Sequence, residues 1–342
     1  MSSIDAAGMA DKDAGLGPGE CVPAGEAAAI GTIVAAIEAG VRAAAQAGPA
    51  RRDAHAKAHG CVRARFEVLD NLDPSLRIGV FAQPRVFDAW IRFSNGSGKP
   101  QKDSTGDGRG MAVKLMNVAD SPSTTQDFVM INHPVFFVRN AVDYIDLETS
   151  PSPLKFFFPS LNPFRWRLHE GLIAVTLASQ KVLNPLNIRY WSMTPYRWGD
   201  DACKFSARPS GETSPFVQTA TPDFLHDNLA AHLADRGATF DFLVQPRARP
   251  ASMPVEDPTI VWDEAAAPFR PVARITIPPQ TFDSPGQKAF CENLSFTPGH
   301  CIDAHRPLGG LNRVRLTVYD HISRLRHALN NAPRREPVDF TV

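Results

Sequence analysis

The chain has 342 residues, 43% hydrophobic and 21% charged, which is ordinary for a globular protein with one large core or two smaller ones. Lysine plus arginine equal aspartate plus glutamate at 36 each, so the charge gives no reason to expect nucleic acid or an anionic membrane as partner. The apolar runs read as too short for a membrane span. Five cysteines, odd in number and without a C-x-x-C pair, argue for reduced thiols in a cytoplasmic protein and against a zinc site.

Residues 1–25 are rich in Gly, Ala and Asp, with no basic stretch leading into an apolar one. They are expected to form a flexible tail rather than a secretory signal. Ile30, Ile33, Val34, Ile37 and Val41 recur at helical spacing and predict an amphipathic helix over 26–48, closed by Gly48-Pro49. His55 and His59 lie four apart, ahead of an alternating run from Cys61 to Phe66. Such a pair can chelate a metal on a helix, but no glutamate accompanies it and the alternation is that of a strand. The other reading makes one histidine an acid–base group over a cofactor.

Strands are expected at 77–82, 86–93 and 111–116, with a turn-rich stretch from Asn95 to Gly110 that lacks the spacing of a phosphate loop. Asp127–Val138 reads as a buried strand bent at Asn132-His133-Pro134. Aromatic and proline-rich loops with a helix near 168–182 follow, then a helix over 223–236 and strands at 238–244 and 272–277. Short strands followed by helices, without β-α-β alternation, predict an α+β antiparallel barrel with helical additions. The domain limits expected are a tail to 25, the helix to 48, one domain over 49–330 and a second tail over 331–342.

The run from Asn312 to His327 carries the chemistry. Val314, Val318, Ile322, Leu325 and Leu329 form an apolar stripe behind Asn312, a suitable N-cap. Beside it Arg315, Tyr319 and Arg326 share a line, largely without the acids that a surface helix places at i±4. A guanidinium one turn before a phenol favours the ionised oxygen, and tyrosinate is one of the few protein ligands of haem iron. A core tyrosine on an ordinary amphipathic helix fits the same residues.

Several segments together resemble the catalase superfamily: Arg52-x-x-His55-Ala-Lys-x-x-Gly60, Arg92-Phe93-Ser94, Asp107-x-Arg109-Gly110-x-Ala112-Val113-Lys114, Pro134-x-Phe136-Phe137-x-Arg139, Pro258-x-x-Val261-Trp262, Pro271-Val272, Leu294-x-Phe296-x-Pro298 and Arg315-x-x-x-Tyr319-x-x-x-x-Arg324-x-Arg326. They fall in the family's order over about residues 51–327. The resemblance implies a catalase-like barrel with haem b buried between it and the C-terminal helix. It makes Tyr319 the iron ligand with Arg315 as charge partner, and His55 the distal acid–base held by Ser94. Arg52, Arg92 and Arg326 become partners of the haem propionates, and Phe137 and Tyr144 aromatic neighbours of the ring.

The departures are on the distal side. The family's distal amide falls at Ile131, with Asn132 one residue away as the replacement if the bend slips. Two valines that narrow the family's channel fall at Ala54 and Gly96. One extra residue lies between His55 and Phe66, and an insertion before Gly60 would bring His59 to the pocket instead. The family's NADPH-binding stretch is not recognisable. These changes imply a peroxidase that takes hydrogen peroxide or organic hydroperoxides and a small organic reductant, with weak or absent catalase turnover. Rearrangement of a lipid hydroperoxide, as in catalase-like allene oxide synthases, and haem binding without turnover are the alternatives. A homo-oligomer is compatible with the sequence, although the short N-terminal arm argues against an interwoven tetramer.

Overall fold

The computed structural model describes residues 15–342. Nine strands, β1 Ala58–Val68, β2 Val86–Asn95, β3 Arg109–Met116, β4 Thr125–Ile131, β5 Tyr190–Trp191, β6 Tyr196–Trp198, β7 Asp201–Pro209, β8 Ala238–Pro246 and β9 Arg270–Ile277, run antiparallel in the order β5-β4-β3-β2-β1-β9-β8-β7-β6. A further pairing of β5 with β7 closes eight of them into a barrel, leaving β6 as a flanking strand. Strand side chains alternate between faces. Phe66, Ile91, Phe93, Val113, Phe128, Phe205 and Phe242 therefore fill the barrel, and Phe66, Phe128 and Phe242 touch with centroids 4.7 to 5.9 Å apart. The alternate residues, Arg92, Ser94, Gly110, Ala112 and Val129, face outwards on β2–β4 and form one wall of a slot.

The other wall is helical. Helices α1 Glu26–Ala44, α2 Ala141–Thr149, α3 Pro153–Phe157, α4 Leu168–Ser179, α5 Phe224–Leu233, α6 Pro285–Asn293 and α7 Gly310–Leu329 surround the barrel. Val314, Val318 and Ile322 of α7 pack on Ile33, Ile37 and Val41 of α1, so the amphipathic N-terminal helix backs the tyrosine-bearing one. α1 has 19 residues and a mean hydropathy of 1.5, long and apolar enough to span a membrane by length and composition. The expectation that no apolar run reaches that length is corrected here, and the α1 face toward α7 is packed.

Three expected elements change. Residues 77–82 are not a strand but contain a short 3-10 turn over Gly79–Phe81. Gly79 sits at φ +58, where a Cβ would stand 2.4 Å from His305 Nε2, and the Val80 amide donates to that same nitrogen at 3.2 Å. α7 begins at Gly310, before Asn312, whose side chain instead binds the Pro195 and Leu308 carbonyls at 2.9 Å. The first amides of α7 are met from afar: Gly309 donates to Glu20 at 2.8 Å and Gly310 to Glu256 at 2.7 Å. β7, which follows the aromatic loops, was not expected, although Cys203, Phe205 and Ala207 alternate with Lys204 and Ser206.

Neither terminal segment is the tail expected, within the described residues. Residues 1–14 lie outside them. Residues 15–25 are held by Glu20, whose carboxylate meets Arg313 at 2.7 Å. At the other end Phe340 packs edge-on against Trp90, and Glu336 lies 2.6 Å from the buried Lys114 ammonium.

Arg313 pairs with Glu20, Glu26 and Glu256 at 2.5 to 3.0 Å, tying the N-terminal segment, α1 and the loop before β9 to the start of α7. Glu20 and Glu26 are buried, so deleting the shared cation leaves carboxylates without a partner. Arg313→Ala is expected to cost about 2–4 kcal/mol, discounted for the partial exposure of Arg313 and Glu256. Urea unfolding monitored by tryptophan fluorescence measures it; a loss below about 1 kcal/mol would mean the cluster does not hold α7.

Candidate active site

Between the β2–β4 wall and α7 lies a slot with two lobes, of about 740 and 1150 Å³, that share Asp53, Ala54, His55, Val129, Met130 and Tyr319. Arg52, Arg92 and Arg326 line the first lobe. Phe137, Tyr144, Leu311 and Arg315 line the second. The structure thus brings His55 and Tyr319 to one cavity, with three cations at one end and aromatic side chains at the other.

His55 precedes β1 in a left-handed backbone conformation, φ +56, which is uncommon for a residue with a side chain. Its backbone is held on both sides: the amide donates to the Gly96 carbonyl at 2.9 Å and its carbonyl accepts from Arg92 Nη2 at 2.8 Å. Its Nδ1 lies 3.0 Å from Ser94 Oγ, and Nε2 has no protein partner among the described residues. Gly110 makes this possible, because a Cβ there would stand 2.6 Å from His55 Nδ1 and 2.8 Å from Ser94 Oγ. Burial, and then the Arg92 guanidinium, pull the imidazole pKa down to about 4, so the ring is neutral at physiological pH.

His59 is elsewhere. The extra residue foreseen in this strand is a bulge, where the β1–β2 register shifts between Ala58 and Gly60. The bulge turns His59 to Asn95 Oδ1 at 2.9 Å, within a buried network with Asp103, Arg109 and Lys57. His59 lines neither lobe.

On α7 the Arg315 guanidinium lies 5.5 Å from the centre of the Tyr319 ring and donates to Thr194 Oγ1 and Asn312 Oδ1, both at 3.0 Å. Burial works against this charge, yet the Tyr319 and Tyr196 phenols keep its pKa above the ordinary arginine value.

Arg52 donates to the carbonyls of Leu294, Cys291 and Glu292, and Arg326 to that of Glu292 at 2.7 Å. One carboxylate, Glu292, lies 3.0 Å from Arg52 Nη1. Burial and the neighbouring Arg52 lower the Arg92 pKa, and the same two causes pull Arg326 down to about 10. The buried Nε atoms of Arg92 and Arg326 have no hydrogen-bond partner.

Two expectations on the distal side are corrected. Asn132 does not face the slot; its Oδ1 accepts from the Arg109 amide at 2.6 Å and its Nδ2 donates to Gln180 at 2.7 Å. Ile131 takes the cavity-facing place. Ala54 and Gly96 both line the second lobe, but Gly96 opens little room there, since a Cβ would meet Asp107 Oδ1 at 2.8 Å. Sequence reasoning missed Glu292 and Thr194, which reach the site from distant segments without any spacing signal, and Asp53, which lies inside the Arg52-x-x-His55 motif itself. It quoted Gly110 without seeing its task.

A closed eight-stranded antiparallel barrel with helices packed outside it, and a histidine facing a tyrosine across the slot, define a catalase-fold protein. The sequence model of the catalase family matches residues 46–154. The chain is 28% identical over 274 residues to a catalase-related peroxidase of Mycolicibacterium paratuberculosis (strain ATCC BAA-968 / K-10), covering 73% of this chain and 81% of that one. Among solved structures it superposes on a fungal catalase with a TM-score of 0.65 at 19% identity, covering 87% of this chain and 63% of the other. Catalase A from Saccharomyces cerevisiae gives 0.66 at 18%, covering 85% and 65%. The chain therefore spans a little under two thirds of the length of these solved catalases. In sequence and in fold it is thus similar to the catalase superfamily.

The family implies a haem, and the residues fit one. Three clustered arginines, two with orphaned Nε atoms, outnumber the neighbouring carboxylates of Glu292 and Asp53 and suit a flat group bearing carboxylates at one edge. Met111, Met130, Phe296 and Ile322 give this lobe apolar walls, with Ser295 and Ser323 among them.

His55, with His59 and His305, whose pKa values burial pulls down to about 3 and about 4, binds fewer protons folded than unfolded between about pH 4 and 6.5. Stability is thus full above pH 6.5 and falls as pH drops through that window. His55→Gln is expected to remove about 2 kcal/mol of that fall, after discounting for the open cavity. Unfolding of the haem-free protein at pH 6.5 and 4.5 checks it; an unchanged pH slope would place His55 in solvent.

Proposed function

We propose that this chain is a haem b-dependent peroxidase that reduces hydrogen peroxide or organic hydroperoxides with electrons from a small organic donor, with weak or absent catalase turnover. The observation that carries the proposal is the single slot in which a neutral His55 faces Tyr319 with Arg52, Arg92 and Arg326 at one end. The relative described as a catalase-related peroxidase supports the reaction class.

Tyr319 Oη would hold the iron, with Arg315 stabilising the ionised phenol. Arg52, Arg92 and Arg326 would hold the propionates, and Phe137 and Tyr144 would pack at the ring. When bound, the haem supplies the redox chemistry at which the peroxide O–O bond is cleaved. With Nδ1–H donated to Ser94, the His55 Nε2 lone pair is free to take the proton from the inner peroxide oxygen. The same nitrogen then returns it to the leaving oxygen, which departs as water or an alcohol. Neutrality is a requirement of this step, and the low pKa of His55 provides it.

Catalase turnover needs a second hydrogen peroxide oriented beside the histidine. Ile131 offers no hydrogen bond for that, and the Asn132 amide is already taken. The five cysteines, all unpaired, support a reducing, cytoplasmic setting.

Reconstitution with haem is expected to give a high-spin ferric phenolate spectrum that Tyr319→Phe loses; no Soret band in the wild type would refute the proposal. His55→Ala should lower donor oxidation by about 10²–10⁴-fold with haem retained. The wild-type rate should hold down to about pH 4, where the base protonates. Steady-state oxygen release comparable to donor oxidation would overturn the peroxidase assignment.

A further inference from the structure

Cys61 on β1 and Cys291 on α6 are the one pair of cysteines brought together among the described residues. Both are buried, both belong to one apolar cluster with Trp90 and Leu294, and both line a cavity of about 680 Å³ separate from the haem slot. Lys288, Arg51 and Glu292 also line this cavity, as does Lys57, which is paired with Asp103 at 2.6 Å and Asp223 at 2.7 Å. The two segments are joined by the Gln287 side-chain amide, which donates to the Cys61 carbonyl at 2.8 Å. The pair backs directly onto the arginine cradle. Cys61 lies opposite Arg92 in the β1–β2 register, and the Cys291 carbonyl accepts from Arg52 at 3.2 Å.

We propose that Cys61 and Cys291 form a peroxide-oxidisable dithiol, reached through this second cavity rather than the haem slot, and restored by a small thiol. Its chemistry balances without haem. The Cys291 thiolate attacks one peroxide oxygen, the O–O bond breaks, and water or an alcohol leaves with the thiol's proton, giving a sulfenic acid. The Cys61 sulfur then attacks the Cys291 sulfur, expels the hydroxyl, and its own proton completes a second water. Two electrons leave the dithiol and one peroxide is reduced. The assignment of attacker and resolver follows from the surroundings. A hydrogen bond from Cys61, aided by Arg92 and Arg52 against the effect of burial, draws the Cys291 pKa down to about 7. Burial and the shared hydrogen bond push Cys61 well up. The thiolate is the nucleophile in such reactions.

The consequence reaches the haem site, because the carbonyls of residues 291, 292 and 294 that hold Arg52 and Arg326 come at and after the end of α6. A bond between Cys61 and Cys291 fixes that segment to the barrel.

Peptide mass spectrometry after treatment with equimolar hydrogen peroxide tests the proposal, on haem-loaded protein and on Tyr319→Phe. Expected is a Cys61–Cys291 cross-link, 2 Da lighter than the dithiol, in both forms, reversed by a small thiol such as dithiothreitol. Cys61→Ser should leave Cys291 as a sulfenic acid trapped by dimedone, and Cys291→Ser should leave Cys61 unmodified. Failure to bind haem leaves this test intact, so the two proposals fail separately. Both thiols remaining fully alkylatable after peroxide and denaturation would overturn it, as would a cross-link that forms only in the haem-loaded protein.

Discussion

The position of α7 is the constraint on which the site depends. The helix must stand off the barrel wall by the thickness of a flat group, yet present Arg315, Tyr319 and Arg326 into the gap. Nothing on the helix itself fixes that distance. At its start, Arg313 is clamped by carboxylates from three other segments, two of which, Glu20 and Glu256, also receive the first amides, a favourable place for negative charge. Along its back, Ile33, Ile37 and Val41 of α1 fill the stripe. Near its end, Arg326 bonds the Glu292 carbonyl. The N-terminal segment is part of the slot's frame even though none of residues 15–35 lines it.

This explains what could be read in the sequence and what could not. The barrel was legible because strand alternation is local: Phe66, Ile91, Phe93 and Val113 announce the inner face without knowledge of their partners. The site's own residues were legible through spacing, since Arg315 and Tyr319 are one helical turn apart. The supports were not. Glu20, Glu256, Glu292 and Thr194 matter only because the fold delivers them from tens to hundreds of residues away. The failures at 77–82 and at Asn312 share that cause, a long-range partner (His305, then Pro195) overriding a plausible local pattern.

The extra residue of β1 shows the reverse case. An insertion counted in sequence has two possible homes, and each would turn a different histidine toward the slot. The structure absorbs it as a bulge at His59, so every residue before it keeps its place against β2 and β3. Asn95, Asp103 and Arg109 then give His59 a buried polar home. Bulging costs one ladder position, whereas shifting the strand would exchange its inner and outer faces.

Charge at the slot is arranged in opposite senses at its two ends. At one end three arginines crowd together, and burial, added to by the repulsion of Arg52, holds two of them below the ordinary arginine pKa. That arrangement is poor for an isolated protein and good for one that receives two carboxylates, because the ligand relieves strain that folding left behind. The same positive field acts on His55. Arg92 both holds the His55 carbonyl and disfavours protonation of its ring. One guanidinium thereby fixes the base in place, keeps it basic in form rather than charged, and lies where a propionate would bind. A substitution at Arg92 cannot separate these roles, since the charge that would meet a propionate is the one that adds to burial in keeping the histidine neutral.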